Sequence, residues 1–235
     1  MYDLGLIAKL ILFMISTFGY CCFFYRRSYF HVTIIPLFVA ALQVTVLFVF
    51  SLIGLLFPCA LIMYLGGFIL LLPEWKANKA GLVKLCIRDK RFWFSATMFC
   101  VLAVLLWGKQ FSRLDDLTHW ALIEKIMLFT DRLPNTTDRL MHHAAYPPGS
   151  ALFIYYFVRM CGEDEFLQML GQAYLIICGL LPLWAFTKKR ISIIPIFMLS
   201  VYIMTCNVSF YGLKVDTLLP VCGVSLFVIY YLEFR

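Results

Sequence analysis

Charge is what this chain has least of. Of its 235 residues only 14% are Asp, Glu, Lys or Arg, against roughly 25% in an average soluble protein. A soluble single domain of this length needs more polar surface than that and is excluded. Intrinsic disorder is excluded too, because it requires low hydrophobicity, and here 63% of residues are hydrophobic with a mean hydropathy of +0.89. The apolar/polar alternation of a membrane β-barrel strand is missing. So is any CxxC spacing. The 9 cysteines lie mostly inside apolar runs, as Cys21, Cys22, Cys59, Cys100 and Cys178 do, which suits small packing residues and not a disulfide framework or a metal site. What remains is an all-α fold, a polytopic transmembrane helical bundle. Its 23 Phe, 13 Tyr and 5 Trp suit lipid-facing and interfacial positions.

The apolar runs set the expected spans, each needing roughly 20 residues. Residues 4–25 form a first retained span that stops at Arg26-Arg27, with no small-residue cleavage site of a signal peptide. Residues 32–72 are long enough for two helices with a tight turn at 51–58. Residues 74–91 read as a polar, basic loop carrying Lys76, Lys79, Lys84, Arg88, Lys90 and Arg91. Residues 92–108 are the next span, with Trp93 and Trp107 as interfacial anchors. A long polar stretch, 109–148, follows. Residues 149–160 are apolar but too short to cross, and are expected to lie along the membrane surface as an interfacial helix. Spans at 166–186, 191–211 and 218–234 complete the chain. This divides it into an N-terminal part, 1–91, and a second part, 92–235, whose outer loop is 109–165.

The net charge of +7 follows from where Lys and Arg collect. No polar surface interleaves Arg with aromatics, so nucleic acid is not an expected partner; membrane lipids are. Placing Arg26-Arg27, 74–91 and Lys188-Lys189-Arg190 in the cytoplasm puts the N-terminus and the 109–165 loop outside, although Arg113, Lys125, Arg132 and Arg139 sit in that outer loop.

That loop contains nearly all the chemistry. Asp115-Asp116 open it, and adjacent carboxylates at a membrane surface are costly unless solvated, paired or functional. On an α-helix they share a face with His119, three to four residues on. Such a set suits a divalent cation or a general base; it equally suits an ordinary acidic helix start. His142-His143 and Tyr146-Pro147-Pro148-Gly149 close the loop, the proline pair enforcing a rigid turn. His143 joins Asp115, Asp116 and His119 as a metal-ligand candidate. Lys214 and Asp216 stand at the outer start of the last span, where a carboxylate is either a functional group or a helix-start residue.

The order of these parts resembles the GT-C superfamily of integral-membrane glycosyltransferases. It is similar to the branch containing protein O-mannosyltransferases, lipid A aminoarabinose transferases and related bacterial cell-surface polysaccharide enzymes. In that branch an Asp-Glu pair opens the first outer loop and a Pro-Pro-Leu turn closes it. Here Asp115-Asp116 and Tyr146-Pro147-Pro148-Gly149 occupy those places, with Asp116 for the usual Glu and Gly149 for the usual Leu. Glu165-Phe166 begin the next span, and Asp216 matches an acidic residue at the start of a later one. The resemblance covers about 92–234 and implies a core that is incomplete at Arg235.

The resemblance further implies a polyprenyl-phosphate-linked sugar donor, an acceptor outside the membrane, and residence in a bacterial plasma membrane, with a divalent metal ion as a candidate cofactor. Asp115 is then the expected base, with Asp116 or His119 orienting it or holding metal. Arg113, Lys125, Arg139 and Lys214 are candidates to offset the leaving phosphate, and Tyr146 and Asp216 to line the substrate site. Two readings of other classes stand beside this one. A transporter or flippase-like carrier accounts for the spans and edge charges. A non-catalytic membrane scaffold accounts for the abrupt end.

Overall fold

The computed structural model describes residues 4–112, 114, 116–138, 148–186, 212–213 and 215–233, with backbone only at 78–88, 90, 184–186, 215–217 and 232–233. The described chain is helical and contains no strand. In order, the helices are α1 (Leu4–Arg27), α2 (Ile35–Ser51), α3 (Leu56–Arg88), α4 (Lys90–Leu106), α5 (Ala121–Thr130), α6 (Gly149–Cys161), α7 (Glu165–Leu180) and α8 (Val215–Glu233). A π-turn, Asp116–Trp120, runs directly into α5, and a 3₁₀ turn, Leu181–Phe186, extends α7.

Three described segments are long and apolar enough to cross a membrane: Leu4–Arg27, Leu56–Ala77 and Glu165–Leu183. They differ in where they sit. The apolar window of the third is 94% buried inside the protein, against 33% and 28% for the other two. The core therefore lies around α7, while α1 and α3 present outward rows such as Ile11, Leu12 and Ile15, or Leu65, Ile69 and Leu72, as lipid-facing helices do.

The direction of each helix can be read from its contacts. On α1 and α3, Ser16 Oγ donates to Tyr64 O at 2.7 Å and Arg26 bonds Glu74 at 2.9 Å, both pairs 48 residues apart. A constant offset means parallel helices. Their approach is close because Gly19 faces Gly67: a Cβ on Gly19 would collide with the Gly67 carbonyl, and one on Gly67 with the Ser16 carbonyl. Without side chains between them the two backbones pack directly, a way for membrane helices to gain contact where no hydrophobic drive between helices exists. In contrast, Trp107 packs on Phe166 and Phe99 on Tyr174, so α4 and α7 are antiparallel. Gln172 meets Gly212, and Gly179 meets Val221 and Ser225; α7 and α8 therefore run the same way. The bundle has one end carrying Arg26 and Glu74 and another carrying Asp116 and Glu165.

Three expectations change on this scaffold. Residues 74–88 are not a loop: α3 continues through Pro73 to Arg88, and only Asp89, the N-cap of α4, interrupts it. Glu, Lys, Ala and Leu dominate that stretch, and all are strong helix formers, so the end of the apolar run is not the end of the helix. The 149–160 helix exists, as α6, and is too short to span, but it does not lie on a surface. Ala151 through Val158 are all buried, and Phe13 of α1 packs against Phe153, Tyr156 and Phe157. An interfacial helix has a polar face; α6 has aromatic residues all round, which is the pattern of a helix sheathed by others. Third, Trp107 is partly buried against Phe166 and is no free anchor, whereas Trp93 stays 54% exposed. α1 and α2 form two of the walls around α6. The 191–211 span lies outside the described residues.

At its other end α6 stops on Gly162, whose φ of 145° a side chain would resist. The chain then turns straight into α7. Cys21, Cys59, Cys100, Cys161, Cys178 and Cys222 are in no disulfide.

Candidate functional site

The Asp116 end is built by one side chain on α7. Glu165, the first residue of that helix, accepts from the backbone N–H of Phe111 at 2.7 Å and from Lys125 Nζ at 2.9 Å. It thereby ties both the start of the long polar loop and α5 to the core. Eight residues before Glu124 in the same loop, Asp116 is fully buried, and its Oδ1 accepts from the backbone N–H of Leu213 at 2.8 Å. Gly212 is needed beside it: a Cβ there would lie 2.5 Å from Asp116 Oδ2. Gln172 Nε2 completes the seam by donating to the Gly212 carbonyl at 3.4 Å. The acidic motif that opens the loop is thus docked on the two residues that precede the last helix by a few positions, 97 residues further along the chain.

The local backbone turns the Asp116 side chain inward. Asp116–Trp120 is a π-turn, a wider repeat than the α-helix and one that recurs at functional sites. Asp116 points to the core, and His119 is only half-buried.

The remaining sequence-derived candidates are distributed as follows. Lys125 is half exposed and paired with Glu165, so its charge is already committed at this end of the bundle. The backbone of Asp216 lies in the first turn of α8, three residues beyond Leu213; its side chain lies outside the described residues. So do Arg113, Asp115, Arg139, His142, His143, Tyr146, Pro147 and Lys214. Pro148-Gly149 begin α6, where a Cβ on Gly149 would lie 4.0 Å from Val44 of α2. The structure brings Asp116 together with the start of α8. Among the described residues, no group of three His, Cys, Asp or Glu side chains is placed to hold a metal ion.

A second charged cluster braces α5 against α6. Asp131 caps α5 in the left-handed conformation, φ 51°. Its carboxylate accepts from Tyr155 at 2.6 Å and from Arg159 at 2.8 and 2.9 Å, while Arg159 also donates to Glu163 at 2.9 Å. Every formal charge in that cluster has a partner, so it reads as a brace.

Sequence reasoning missed Glu124. It lies on the inner face of α5 with Ala121 and Met127, is 1% exposed, and neither carboxyl oxygen has a hydrogen-bond partner among the described residues. Burial alone pushes its pKa well above the ordinary carboxylate range. The signal was present in the sequence: an acid at the helical spacing of an apolar face, 121–124–127, in a stretch otherwise amphipathic.

No protein-family model, curated protein or solved structure matches the chain.

Proposed function

We propose that the chain is a membrane glycosyltransferase that moves a sugar from a polyprenyl-phosphate donor to an acceptor on the outer face of the membrane. The observation that carries this reading is the docking of Asp116 on Leu213. It joins the acidic pair of the long loop to the start of the helix that bears Asp216, two motifs that the family resemblance associates with one site.

The chemistry is a single displacement. The acceptor oxygen bonds to the anomeric carbon, the bond from that carbon to the phosphate oxygen breaks, and the acceptor hydroxyl proton passes to a carboxylate. The polyprenyl phosphate leaves with its electron pair. Asp115 is assigned as the base, because a lipid-linked donor cannot leave the membrane and the catalytic groups must meet it at the interface. Asp116, held by Leu213, is a positioning residue for it. Lys125 is available to the leaving phosphate if it releases Glu165, and Arg113, Arg139 and Lys214 are the other cationic candidates. A divalent ion bound at Asp115, Asp116, His119 and His143 would supply charge neutralisation at the phosphate. Only Asp116 and His119 of that set are described, and Asp116 Oδ1 is already used by Leu213, so the steps above are written without it.

The reading also assigns sidedness. Arg26 and Arg27 close over Glu74 at one end, which under the positive-inside rule is taken as the cytoplasmic end. The Asp116 end then faces out. Thr137 is exposed on the long loop, and Thr137→Cys should react with a membrane-impermeant maleimide in intact cells above the background of the parent chain. The decisive experiment is transfer itself. The purified chain in liposomes should move radiolabelled sugar from a hexose-bearing undecaprenyl phosphate to an acceptor glycan. Absence of transfer across a panel of donors refutes the reading.

One observation favours the carrier reading. The short α6, sheathed inside the bundle, is the kind of half-helix that transporters place around substrate sites. Liposomes would then show movement of the sugar-lipid between leaflets with no new glycosidic bond. Inertness in both assays would leave the scaffold.

A further inference from the structure

The far part of α3 does not run straight out of the bundle; it folds back across the Arg26 end. The offset of 48 residues between α1 and α3 sets Phe18 level with Gly66. A straight α3 would carry Arg88 roughly 33 Å beyond that level. Yet Asp89 caps α4 by accepting from the Arg91 N–H at 2.8 Å, and Phe92, one turn on, packs against Phe18 with ring centroids 6.4 Å apart. The four residues from Arg88 to Phe92 span at most about 14 Å, so Arg88 cannot stand so far out, even with the reach of two phenyl rings added. α3 is therefore bent, and Pro73 is the residue at which a helix bends. Beyond it, the arm from Glu74 to Arg88 is about 21 Å long. Its first residue is held by Arg26 and Arg27, and Asp89, just past its last, lies within charge range of His31. Both ends of the arm are thus pinned to the corner between α1 and α2, and the arm lies across that end of the bundle.

The arm and its junction with α4 bear five cations: Lys76, Lys79, Lys84, Arg88 and Lys90. The same stretch has two acids, and arginine already engages both. Glu74 is covered by Arg26 and Arg27, and Asp89 accepts from Arg91 Nε at 2.8 Å and Nη2 at 2.6 Å. Glu233, closing α8 at this end, offsets one cation at most. We propose that residues 74–90 form a basic interfacial arm that gathers anionic phospholipid headgroups at the Arg26 face of the membrane. The proposal stands apart from the sugar-transfer reading.

Position selects the lipid over other anions. Trp75 at the start of the arm and Trp93 just past its end are both exposed, as are Leu72 and Phe92 beside them. Exposed tryptophan on a membrane helix sits at headgroup level, so the arm begins and ends where headgroups are. Lysine and arginine suit that place, since their aliphatic stems follow the apolar boundary while their charge stays with the headgroups. Leu82, Val83, Leu85 and Ile87 stand among the cations, the mixture from which surface-bound helices are made. A nucleic acid or an acidic protein would instead need the cations held clear of the bilayer in water, and an arm tied down at both ends is not.

The test measures which lipid the full chain holds at its surface. The protein is reconstituted in phosphatidylcholine bilayers, and spin-labelled phosphatidylglycerol and phosphatidylcholine are compared for the fraction immobilised by it. The wild type should prefer phosphatidylglycerol by about fivefold, the effect of one basic residue near an anionic surface. The ratio should fall toward one as salt rises from about 0.1 to 1 M. Combining Lys76→Gln, Lys79→Gln, Lys84→Gln and Arg88→Gln keeps strong helix formers and should bring the ratio close to one, with an unchanged melting temperature in phosphatidylcholine alone. Combining Lys188→Gln, Lys189→Gln and Arg190→Gln, a basic cluster elsewhere in the sequence, should leave most of the preference. A preference that survives the arm variant, that salt leaves untouched, or that falls equally in both variants overturns the proposal. So does a wild type that holds the two lipids equally. If a labelled RNA oligonucleotide then binds the wild type but not the arm variant, the arm is a nucleic-acid surface instead.

Discussion

Two glutamates in this bundle bury their carboxyls, and they do so in opposite ways. Glu74, at one end, is 0% exposed because Arg26 and Arg27 close over it, each donating to one of its oxygens. Glu124, at the other, is covered by apolar neighbours and meets no cation or donor among the described residues. At the first end every charge that is buried is neutralised by its own cover, which is how a fold uses charge to fix the register of two parallel helices. At the second, one carboxyl is docked on a backbone amide and another is left unmet. If the proposed function holds, the Arg26 end serves stability and the Asp116 end serves transfer, and variants at the two ends should separate those properties.

The largest effect is expected on rate. Asp115→Asn should slow sugar transfer by about 10²–10⁴-fold, the usual cost of losing a general base, with an unchanged melting temperature. At the opposite end the property that moves should be stability. Gly67→Val drives a branched side chain into the Ser16 carbonyl and should cost about 1–3 kcal/mol through overpacking, read by denaturant or thermal unfolding in detergent. Asp116→Ala bridges the two classes. It strands the buried Leu213 N–H, a loss of about 1–3 kcal/mol, and it should also lower transfer, because the acidic loop is no longer docked.

Glu124 gives a pH signature of its own. Its folded pKa is raised above the ordinary value of 4.5. Below that value folded and unfolded chains both hold the proton, and stability is complete. As pH rises, the unfolded chain releases its proton first, and stability falls until the folded carboxyl titrates in turn. Glu124→Gln removes this fall. Melting curves of the variant and the wild type should coincide near pH 4 and diverge toward neutral pH, the variant being the more stable. Curves that stay parallel across the range would show that Glu124 has an unseen cation and would erase the contrast between the two ends. The smallest effect belongs to Arg26→Ala, about 0.2–1 kcal/mol in thermal unfolding, since its guanidinium is 41% exposed and Arg27 still covers Glu74.

Much of the scaffold was legible because hydrophobic runs are long-range averages. The ends of α1, α4 and α8 fall within a few residues of the apolar runs at 4–25, 92–108 and 218–234, and the turn between α2 and α3 falls inside 51–58. What periodicity does not encode is what a helix touches. A short apolar helix such as α6 has one appearance whether it lies on lipid or inside a bundle, and only Phe13, Phe153 and Tyr156 in contact decide it. The helical continuation to Arg88 was hidden because polarity was taken as the end of structure, although the residues beyond Glu74 favour helix.

The site was legible in part. Two acids in an apolar chain mark Asp115-Asp116 at once, and the structure pairs one of them with the Gly212-Leu213 turn. That Asp116 is buried was not, because it lies in a π-turn that local sequence does not announce. Glu124 was overlooked for a related reason. One acid among Ala121, Ile123 and Met127 looks like the polar side of an amphipathic helix until the burial of α5 shows that it faces in.

The central claim is that the Asp116 end performs sugar transfer, and single-turnover transfer by the wild type and Asp115→Asn tests it most directly. Both proteins are loaded in liposomes with the sugar-bearing undecaprenyl phosphate that the wild type binds best, and formation of the labelled glycan is followed on addition of acceptor. The account predicts transfer by the wild type and a rate at least about a hundredfold lower in the variant, at equal donor binding. Equal transfer rates in the two proteins would contradict it.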